Sequence, residues 1–574
     1  MPVHRWTRYY SAGMPAELPP LAQDHLARFA RAHAAIHATH PAFSTCLPGG
    51  QSGSATYAQV DAQSDAFAAY LREELKLQPG DRVAVQLPNC QAYPVAAFGV
   101  FKAGCVLVNV NPLYTAAETS HQLQDSGARV LLVLDMFTDK LPEVLTQSAV
   151  RDVLVCSLTE GFPAVQGAVV RFVLRYVQRR VPACPVPFTP YGQALQRGQS
   201  RLDAGADRES WIAGQGADSL AALQYTGGTT GVSKGAMLSH GNLLSNVEQS
   251  YLFCKHRIIP EQEVVLAPLP LYHIFAFTVN LLTFYRTGAH TILVPSPRPM
   301  SNLKAPFAKY PITWMTGVNT LYSALLNEAW FQQDPPKALK VSIAGGAALL
   351  GAVAERWRLL LGEPPTEGYG LTEASPVLCF NPLGQGRVGC IGVPFLSTEV
   401  RLIKEDGSEA APGEPGELCA QGPQVMQGYW GKPEETAQVL KDGWLHTGDV
   451  AVMEPDGFLR IVDRLKDVIV LSGFKVFPNE VEDCLAKLVG VKECAIVGAP
   501  HGDQGEAVVA FVVPMEGANL TEAQVREHCR QSLTAYKVPK RVIFRTELPK
   551  SNIGKILRKD LRAEAAKLPP AGKA

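Results

Sequence analysis

The sequence lacks closely spaced cysteines. Its 12 cysteines include no Cys-x-x-Cys pair, and no histidine–cysteine cluster has the spacing of a zinc site. Scattered cysteines in a long chain are typical of reduced thiols, so we expect a cytoplasmic protein. Residues 1–6 lack the apolar core of a signal peptide, which agrees with that location.

The sequence also lacks a net charge and an uninterrupted membrane span. Lysine plus arginine and aspartate plus glutamate each number 53, so the charge balance does not indicate a nucleic-acid-binding protein. Residues 83–101 and 264–285 are uncharged and long enough to cross a bilayer. Each run contains two prolines and several polar residues, so we expect both to be buried core segments.

The 574 residues exceed what one hydrophobic core usually supports. Apolar, β-branched runs alternate with helical patterns; they lie at residues 82–87, 130–134, 264–266, 291–294 and 341–344. This alternation predicts an α/β fold in layers with buried parallel strands. From about residue 389, glycine and proline turns separate short strands and predict a small β-rich subdomain. Residues after 463–467 predict a compact α+β domain of about 100 residues.

A glycine-rich and threonine-rich run occupies residues 226–235 and follows a short apolar stretch. Its four glycines, four hydroxyl residues and single lysine suit a loop that wraps polyphosphate. A solvated turn has a similar composition and stays open as an alternative. Lys234 follows Ser233 rather than glycine, so the run is not a Walker A loop.

Seven motifs along the chain support the phosphate-loop alternative. They are residues 225–235 (YTGGTTGVSKG), 270–275 (PLYHIF), 316–321 (TGVNTL), 367–373 (EGYGLTE), 444–449 (WLHTGD), 464–482 and 549–555 (PKSNIGK). With these motifs in this order, nearly the whole chain resembles the adenylate-forming superfamily, which includes acyl-CoA synthetases, amino-acid adenylation domains and beetle-type luciferases. Within it, the long-chain fatty acyl-CoA synthetases are the most similar group.

The resemblance implies an enzyme that uses ATP, Mg²⁺ and CoA. A fatty acid would first receive AMP from ATP with release of pyrophosphate, and CoA would then displace AMP to give an acyl-CoA thioester. Three alternatives stay open: a medium-chain or aryl acid–CoA ligase, a fatty acyl-AMP ligase that loads a carrier protein, and a peripheral acyl-binding protein without enzymatic activity.

The resemblance also implies the domain organisation: a large AMP-binding domain at residues 1–463, a hinge at 464–468 around Lys466, and a small mobile domain at 469–574. Lys555 on the small domain would be the catalytic lysine of the first step. Thr372 would contact the α-phosphate, Glu373 would hold Mg²⁺, and His273 would flank the acyl carboxylate.

The resemblance assigns further residues to the nucleotide and to CoA. The phosphate loop would bind through Thr226, Gly227, Gly228, Thr229, Thr230, Gly231 and Lys234. The nucleoside would lie against Gly345, Gly346, Ala347, Tyr369, Gly370, Asp449 and Arg464, with Tyr369 stacked on adenine. Gly473 would leave room for the pantetheine arm of CoA after the small domain rotates.

Each of three site residues also has a structural alternative. Glu373 could be an ordinary acidic residue after a helix N-cap at Thr372. Lys555 could be a surface lysine in a basic tail, and His273 could be a histidine satisfied within the core.

Residues 167–181 form a basic amphipathic pattern. Arg171, Arg175 and Arg179 share one helical face, and apolar residues including Phe172 and Tyr176 share another. Such a helix could lie on an anionic inner membrane surface, or it could pack its apolar face on its own domain. Peripheral membrane association and a homodimer are therefore left open as partner predictions.

Overall fold

The computed structural model describes residues 6–11, 13–226, 233–471, 474–501, 506–551 and 554–567. The strands are β1 Pro41–Cys46, β2 Ser52–Thr56, β3 Arg82–Gln86, β4 Val106–Asn109, β5 Val130–Leu134, β6 Asp152–Cys156, β7 Thr189–Pro190, β8 Leu220–Tyr225, β9 Gly235–Ser239, β10 Val264–Ala267, β11 His290–Leu293, β12 Trp314–Gly317, β13 Val341–Ala344, β14 Thr366–Gly370, β15 Val377–Phe380, β16 Val393–Pro394, β17 Glu399–Ile403, β18 Pro415–Gln421, β19 Leu440–Lys441, β20 Trp444–Met453, β21 Leu459–Arg464, β22 Ile469–Leu471, β23 Phe474–Val476, β24 Val491–Pro500, β25 Glu506–Pro514 and β26 Arg541–Phe544.

The helices alternate with these strands. They are α1 Leu26–Ile36, α2 Tyr57–Ala69, α3 Ala92–Lys102, α4 Ala116–Ser126, α5 Leu141–Leu145, α6 Ala164–Phe172, α7 Tyr191–Asp203, α8 His240–Cys254, α9 Ile274–Ala276, α10 Phe284–Arg286, α11 Lys304–Lys309, α12 Asn319–Leu325, α13 Ala329–Gln333, α14 Gly351–Leu361, α15 Pro433–Val439, α16 Pro478–Leu485, α17 Glu522–Ser532 and α18 Arg558–Ala565. Π-helical turns continue α2, α6 and α9.

Two large sheets carry most of the parallel strands. One has the order β7-β6-β5-β3-β4-β8-β9 and is parallel except for the β8–β9 pair. The other has the order β16-β15-β14-β13-β12-β10-β11-β1-β2 and is parallel from β14 to β1. Strand β5, with the sequence VLLVL, is buried at every residue, as expected for a parallel strand covered on both faces. The predicted α/β layers are therefore present.

The β-rich region after residue 389 forms an antiparallel sheet of β17, β18, β20, β19 and β21. Beyond it, β24, β25 and β26 form a three-stranded sheet with α16, α17 and α18 nearby. The alternating residues of β25 face two different buried clusters, one containing Val508 and Val512 and the other Val509 and Phe511. The main cluster of the large sheets runs from Trp6 to Leu459. The domain boundary at residue 463 stays a prediction.

Both apolar runs fold into the core. Residues 83–101 form most of β3 and α3, and residues 264–285 form β10, α9 and the following helical turns; both are largely buried. Across the described parts of the chain, no helix combines the length and hydropathy needed to cross a bilayer.

The basic amphipathic pattern forms α6 and the π-helical turn Val173–Val177. Its apolar face points away from the protein: Val169 and Phe172 are each 58% exposed, and Tyr176 is 63% exposed. The alternative that this face packs on its own domain is therefore wrong. The inner side of the helix is formed instead by small or partly buried residues such as Gly167.

We expect Gly198→Ala to destabilise the protein by about 1–3 kcal/mol, because overpacking forces backbone to move. A Cβ at Gly198 of α7 would lie 1.8 Å from the carbonyl oxygen of Ala66 in α2. Gly192→Ala on the same helix is the matched control, since its nearest neighbour, Glu160 Oε2, is 4.0 Å away. We expect the control to be neutral or slightly stabilising. Equal urea-unfolding midpoints for the two variants would contradict this packing.

Candidate active site

A cavity of about 1790 Å³ lies at the carboxyl ends of several parallel strands. Its wall includes residues that follow or end β8, β13 and β14, and one side is formed by residues 550–551, 555–560 and 562 of the C-terminal region. Ligands of open α/β sheets bind in such crevices outside the strand ends. The fold thus gathers sequence motifs that are far apart in the chain.

The described ends of the predicted phosphate loop line this cavity through Thr226, Ser233 and Lys234. Thr226 N donates to Lys234 O at 2.9 Å, which closes the base of the loop. The predicted residues Gly227, Gly228, Thr229, Thr230 and Gly231 lie outside the described residues, as does Gly473. The Lys234 ammonium lies 4.6 Å from the centroid of the Tyr429 ring.

Thr372 and Glu373 belong to a three-residue 3₁₀ turn beside the cavity. The N-cap of this turn is Leu371, and no side-chain cap is formed, so the alternative of a helix N-cap at Thr372 is wrong. Glu373 Oε1 accepts a hydrogen bond of 2.6 Å from the hydroxyl of Tyr429. A single carboxylate beside the predicted phosphate loop fits Mg²⁺, which keeps most of its waters and takes few protein ligands.

Tyr369, Asp449 and Arg464 form one hydrogen-bonded group. The Tyr369 hydroxyl donates to Asp449 Oδ2 at 2.6 Å, and Arg464 Nε lies 3.2 Å from Asp449 Oδ1. Asp449 and Arg464 are directly opposite each other in the β20–β21 pair. The antiparallel hairpin therefore presents an acceptor carboxylate and a guanidinium at one point of the cavity wall.

Three of the predicted small residues leave space beside that group. Gly345, Gly346 and Gly370 line the cavity, whereas the predicted residue Ala347 does not belong to its wall. Gly346 has a φ of +76°, and a Cβ at Gly370 would lie 2.0 Å from the carbonyl oxygen of Pro376. Side chains at these two positions would strain the backbone or displace it.

Two polar residues that support the site were not predicted from the sequence. Glu417 on β18 accepts from Gly448 N at 3.1 Å and contacts His446 Nδ1 at 2.8 Å, so it fixes the turn before Asp449. Tyr429 contacts both Glu373 and Lys234. Glu417 and Tyr429 each contact residues that are distant in the sequence. No local pattern in the sequence distinguishes them from other strand and loop residues.

His273 lines the cavity and caps α9, since Phe275 N donates to His273 Nδ1 at 3.4 Å. Burial, with a smaller contribution from the nearby Lys555 ammonium, lowers the pKa of His273 to about 4. The imidazole is therefore neutral at pH 7, and its accepting Nδ1 assigns the proton to Nε2. Its place in the cavity wall disagrees with the alternative of an ordinary core histidine.

Lys555 also lines the cavity, so the alternative of a surface lysine is wrong. Its loop is held on both sides: Lys555 N donates to Ser551 Oγ at 3.1 Å, and Thr320 Oγ1 of α12 donates to Gly554 O at 3.0 Å. Burial, followed by repulsion from the Arg464 guanidinium, lowers the pKa of Lys555 to about 7. The structure thus keeps a weakly basic amine beside the Asp449 hairpin.

The segment of the predicted hinge is tied to the last helix. Arg562 donates to Lys466 O at 2.8 Å and to Asp467 Oδ1 at 2.5 Å. Arg558 of the same helix forms an ion pair with Glu482 of α16, with an N–O distance of 2.7 Å. These contacts fix how the Lys555 loop is oriented relative to residues 464–468.

The cavity is also lined by apolar side chains. Its wall includes Cys254 and Ile258 at and beyond the end of α8, Val279 and Phe284 near α10, and Phe380 and Phe395 near β15. One cavity therefore presents both charged or polar groups and apolar side chains to a ligand.

Comparison with known proteins identifies the family. Residues 30–430 match the AMP-binding enzyme family, and residues 480–555 match the AMP-binding enzyme C-terminal domain. This chain belongs to the AMP-binding enzyme family. The family resemblance expected from the seven motifs is confirmed.

One curated relative of this AMP-binding enzyme is the long-chain-fatty-acid–CoA ligase of Salmonella typhimurium. The two sequences are 47% identical over 563 residues, which cover 98% of each chain. Among solved structures, ATP-bound MatB from Rhodopseudomonas palustris is 27% identical with a TM-score of 0.78, and the match covers 99% of both chains. An anthranilate CoA ligase in complex with anthranoyl-AMP has a TM-score of 0.82 at 24% identity, covering 96% of this chain and 99% of that chain. These matches confirm the predicted fold class.

We expect Lys555 in this AMP-binding enzyme to lose its proton near pH 7 rather than near the ordinary lysine pKa of about 10.4. Only the neutral amine reacts with acetic anhydride, so labelling of Lys555 should rise with a midpoint close to pH 7. Mass spectrometry of the peptide that carries Lys555 measures this midpoint against a free-amine standard. In the urea-unfolded chain the midpoint should return to the ordinary value, because burial and the Arg464 charge are removed. A midpoint near 10 in the folded protein would contradict the enclosed position of Lys555.

Proposed function

We propose that this protein is a long-chain fatty acid–CoA ligase that forms AMP. The observation that carries the proposal is one cavity whose wall combines the polar side chains of Lys234, Thr372, Glu373, Asp449 and Lys555 with apolar side chains such as Val279 and Phe284. The similarity to the Salmonella typhimurium ligase over 98% of both chains supports the same substrate.

In the first step, an oxygen of the fatty acid carboxylate attacks the α-phosphorus of ATP. The bond from that phosphorus to the bridging oxygen breaks, and pyrophosphate leaves with the electron pair. Lys555, charged once a triphosphate lies beside it, stabilises the negative charge that builds up between carboxylate and α-phosphate. Thr372 donates to the α-phosphate, and Lys234 with the phosphate loop binds the departing pyrophosphate.

Neutral His273 would act at the acyl carboxylate. Its Nε2–H can donate to a carboxylate oxygen. A full positive charge on the imidazole would lower the nucleophilicity of that oxygen, and the neutral ring avoids this. The apolar side chains of the cavity wall would contact the aliphatic chain, whose burial provides binding free energy of about 0.8 kcal/mol for each methylene. The 47% identity to a long-chain-fatty-acid–CoA ligase over 98% of both chains favours a long-chain acid over the aryl alternative.

Asp449 and Arg464 would hold the ribose hydroxyls, and Tyr369 with Gly345 and Gly346 would contact adenine. Glu373 is the residue proposed to hold Mg²⁺, which when bound neutralises the charge of the phosphates. In the second step the thiolate of CoA attacks the acyl carbon and AMP leaves. For this step we propose that the domain after residue 468 rotates about Lys466 and withdraws Lys555.

We expect Lys555→Ala to reduce acyl-adenylate formation by about 10²–10³-fold, because a preorganised charge at the reacting centre is lost. The measurement is palmitate-dependent release of pyrophosphate. Thioester formation from supplied palmitoyl-AMP and CoA should stay near the wild-type rate, since Lys555 does not act in that step. Lys487→Ala, an exposed lysine on the same domain, is the matched control. Normal pyrophosphate release by Lys555→Ala would refute the role of this lysine.

We further propose that the enzyme associates peripherally with an anionic membrane surface through α6 and the following turn. Residues 164–190 contain four arginines and no acidic residue. Val165, Val169, Phe172 and Tyr176 recur every three or four residues and are 58–81% exposed. Exposed apolar side chains flanked by arginines are the features of a helix that lies in a lipid headgroup layer.

The membrane proposal predicts weaker binding when the charge is reversed. Replacing Arg171, Arg175 and Arg179 by Glu should weaken binding to phosphatidylglycerol vesicles by at least about tenfold at low salt, since each basic residue contributes about 1 kcal/mol. Co-sedimentation measures the bound fraction. The control carries the same change in net charge at three exposed positions elsewhere: Lys140, Arg151 and Lys337. Equal binding by both triple variants would exclude this surface.

The homodimer stays a prediction that light scattering during size-exclusion chromatography would decide.

A further inference from the structure

Tyr429 lies between two groups of the candidate site. It belongs to the segment between β18 and α15, is 6% exposed, and lines the cavity. Its hydroxyl donates to Glu373 Oε1 at 2.6 Å, while the face of its ring lies 4.6 Å from the Lys234 ammonium. One side chain thus contacts both the carboxylate next to Thr372 and the lysine at the end of the phosphate loop.

The backbone around Tyr429 is fixed by hydrogen bonds to both neighbours. Trp430 N donates to Gly235 O, and Met237 N donates to Gly428 O, each at 2.8 Å, so the segment is joined to β9. Met426 N donates to the main-chain oxygen of Glu373 at 2.8 Å. Tyr429 N donates to Thr436 Oγ1 of α15 at 2.9 Å. The tyrosine ring therefore has little freedom to leave Glu373 or Lys234.

The two contacts have different chemical effects. A phenol that donates to one oxygen of Glu373 fixes the orientation of the carboxylate, and hydrogen bonds to charged acceptors are strong ones. The ring face attracts the Lys234 ammonium through its quadrupole and holds the flexible lysine chain near the loop. Removing the hydroxyl alone separates the first effect from the second.

We propose that Tyr429 is a positioning residue that orients Glu373 toward a divalent cation and holds Lys234 ready for the triphosphate. The first half rests on the proposed function, in which Glu373 holds Mg²⁺. In this proposal Tyr429 acts through its contacts with Glu373 and Lys234 rather than on the reacting atoms.

The test compares Tyr429→Phe, which keeps the ring, with Tyr429→Leu, which removes it. Calorimetry of ATP binding without fatty acid, with and without Mg²⁺, gives a readout that does not depend on turnover. For Tyr429→Phe we expect the gain in ATP affinity on adding Mg²⁺ to fall about tenfold, as for one hydrogen bond to a charged group. ATP affinity without Mg²⁺ should stay within about twofold of wild type, because the ring still holds Lys234.

Exchange of labelled pyrophosphate into ATP tests the second contact. Tyr429→Leu should raise the KM for pyrophosphate several-fold, because Lys234 loses the ring, whereas Tyr429→Phe should leave this KM unchanged. Tyr310→Phe is the matched control, since Tyr310 packs against His290 and lies outside the cavity wall. Equal thermal midpoints of all variants establish that they fold alike.

Two results would overturn the proposal. One is a wild-type response to Mg²⁺ in Tyr429→Phe together with a wild-type KM for pyrophosphate in Tyr429→Leu. The other is an equal loss of ATP affinity with and without Mg²⁺, which a merely structural role would produce. Glu373→Gln separates failure of the Tyr429 proposal from failure of the proposed function. A normal Mg²⁺ response in Glu373→Gln refutes the metal role of Glu373 itself.

Discussion

The Lys555 side of the cavity depends on the contacts that hold residues 554–562 in place. The hydrogen bond from Thr320 Oγ1 to Gly554 O joins this segment to α12 directly beside Lys555, and Arg558 and Arg562 tie the same loop to α16 and to residues 466 and 467. The Lys555 amine and the predicted phosphate-binding residues Lys234 and Thr372 line the same cavity.

Hydrogen bonds between distant segments orient the carboxylates of the site. Asp449 is held by Tyr369 and Arg464, and Glu373 is held by Tyr429. Each arrangement leaves a carboxylate at the cavity wall with a defined orientation, which reduces the reorganisation needed when a charged ligand arrives. The scaffold of parallel strands provides the positions, and the tyrosines provide the orientation.

The sequence predicted the layers of the fold because buried parallel strands such as β5 leave continuous apolar runs. It predicted Lys555, Thr372 and His273 because they lie within local motifs, and the structure places all three at the cavity. Ala347 lies outside the cavity wall although its neighbours Gly345 and Gly346 belong to it. Tyr429 and Glu417 could not be predicted, since their partners are distant in the chain and their hydrogen bonds exist only after folding.

The helix α6 shows what a local sequence pattern does not predict, namely which face of a helix is buried. The spacing of Val169, Phe172 and Tyr176 predicted an amphipathic helix correctly, but periodicity does not tell which face turns inward. In the structure the apolar face is exposed, because the inner side of α6 is formed by Gly167 and other small or partly buried residues. Packing against the rest of the fold decides the orientation.

The low pKa of Lys555 links nucleotide binding to protons. Near pH 8 most Lys555 amines are neutral in the free protein, since their pKa is about 7. A triphosphate placed beside this amine favours its charged form, so each binding event at that pH takes up close to one proton from the solvent. The affinity for such a ligand therefore decreases as the pH rises above 7. The reason is that protonating the enclosed lysine costs more free energy at higher pH.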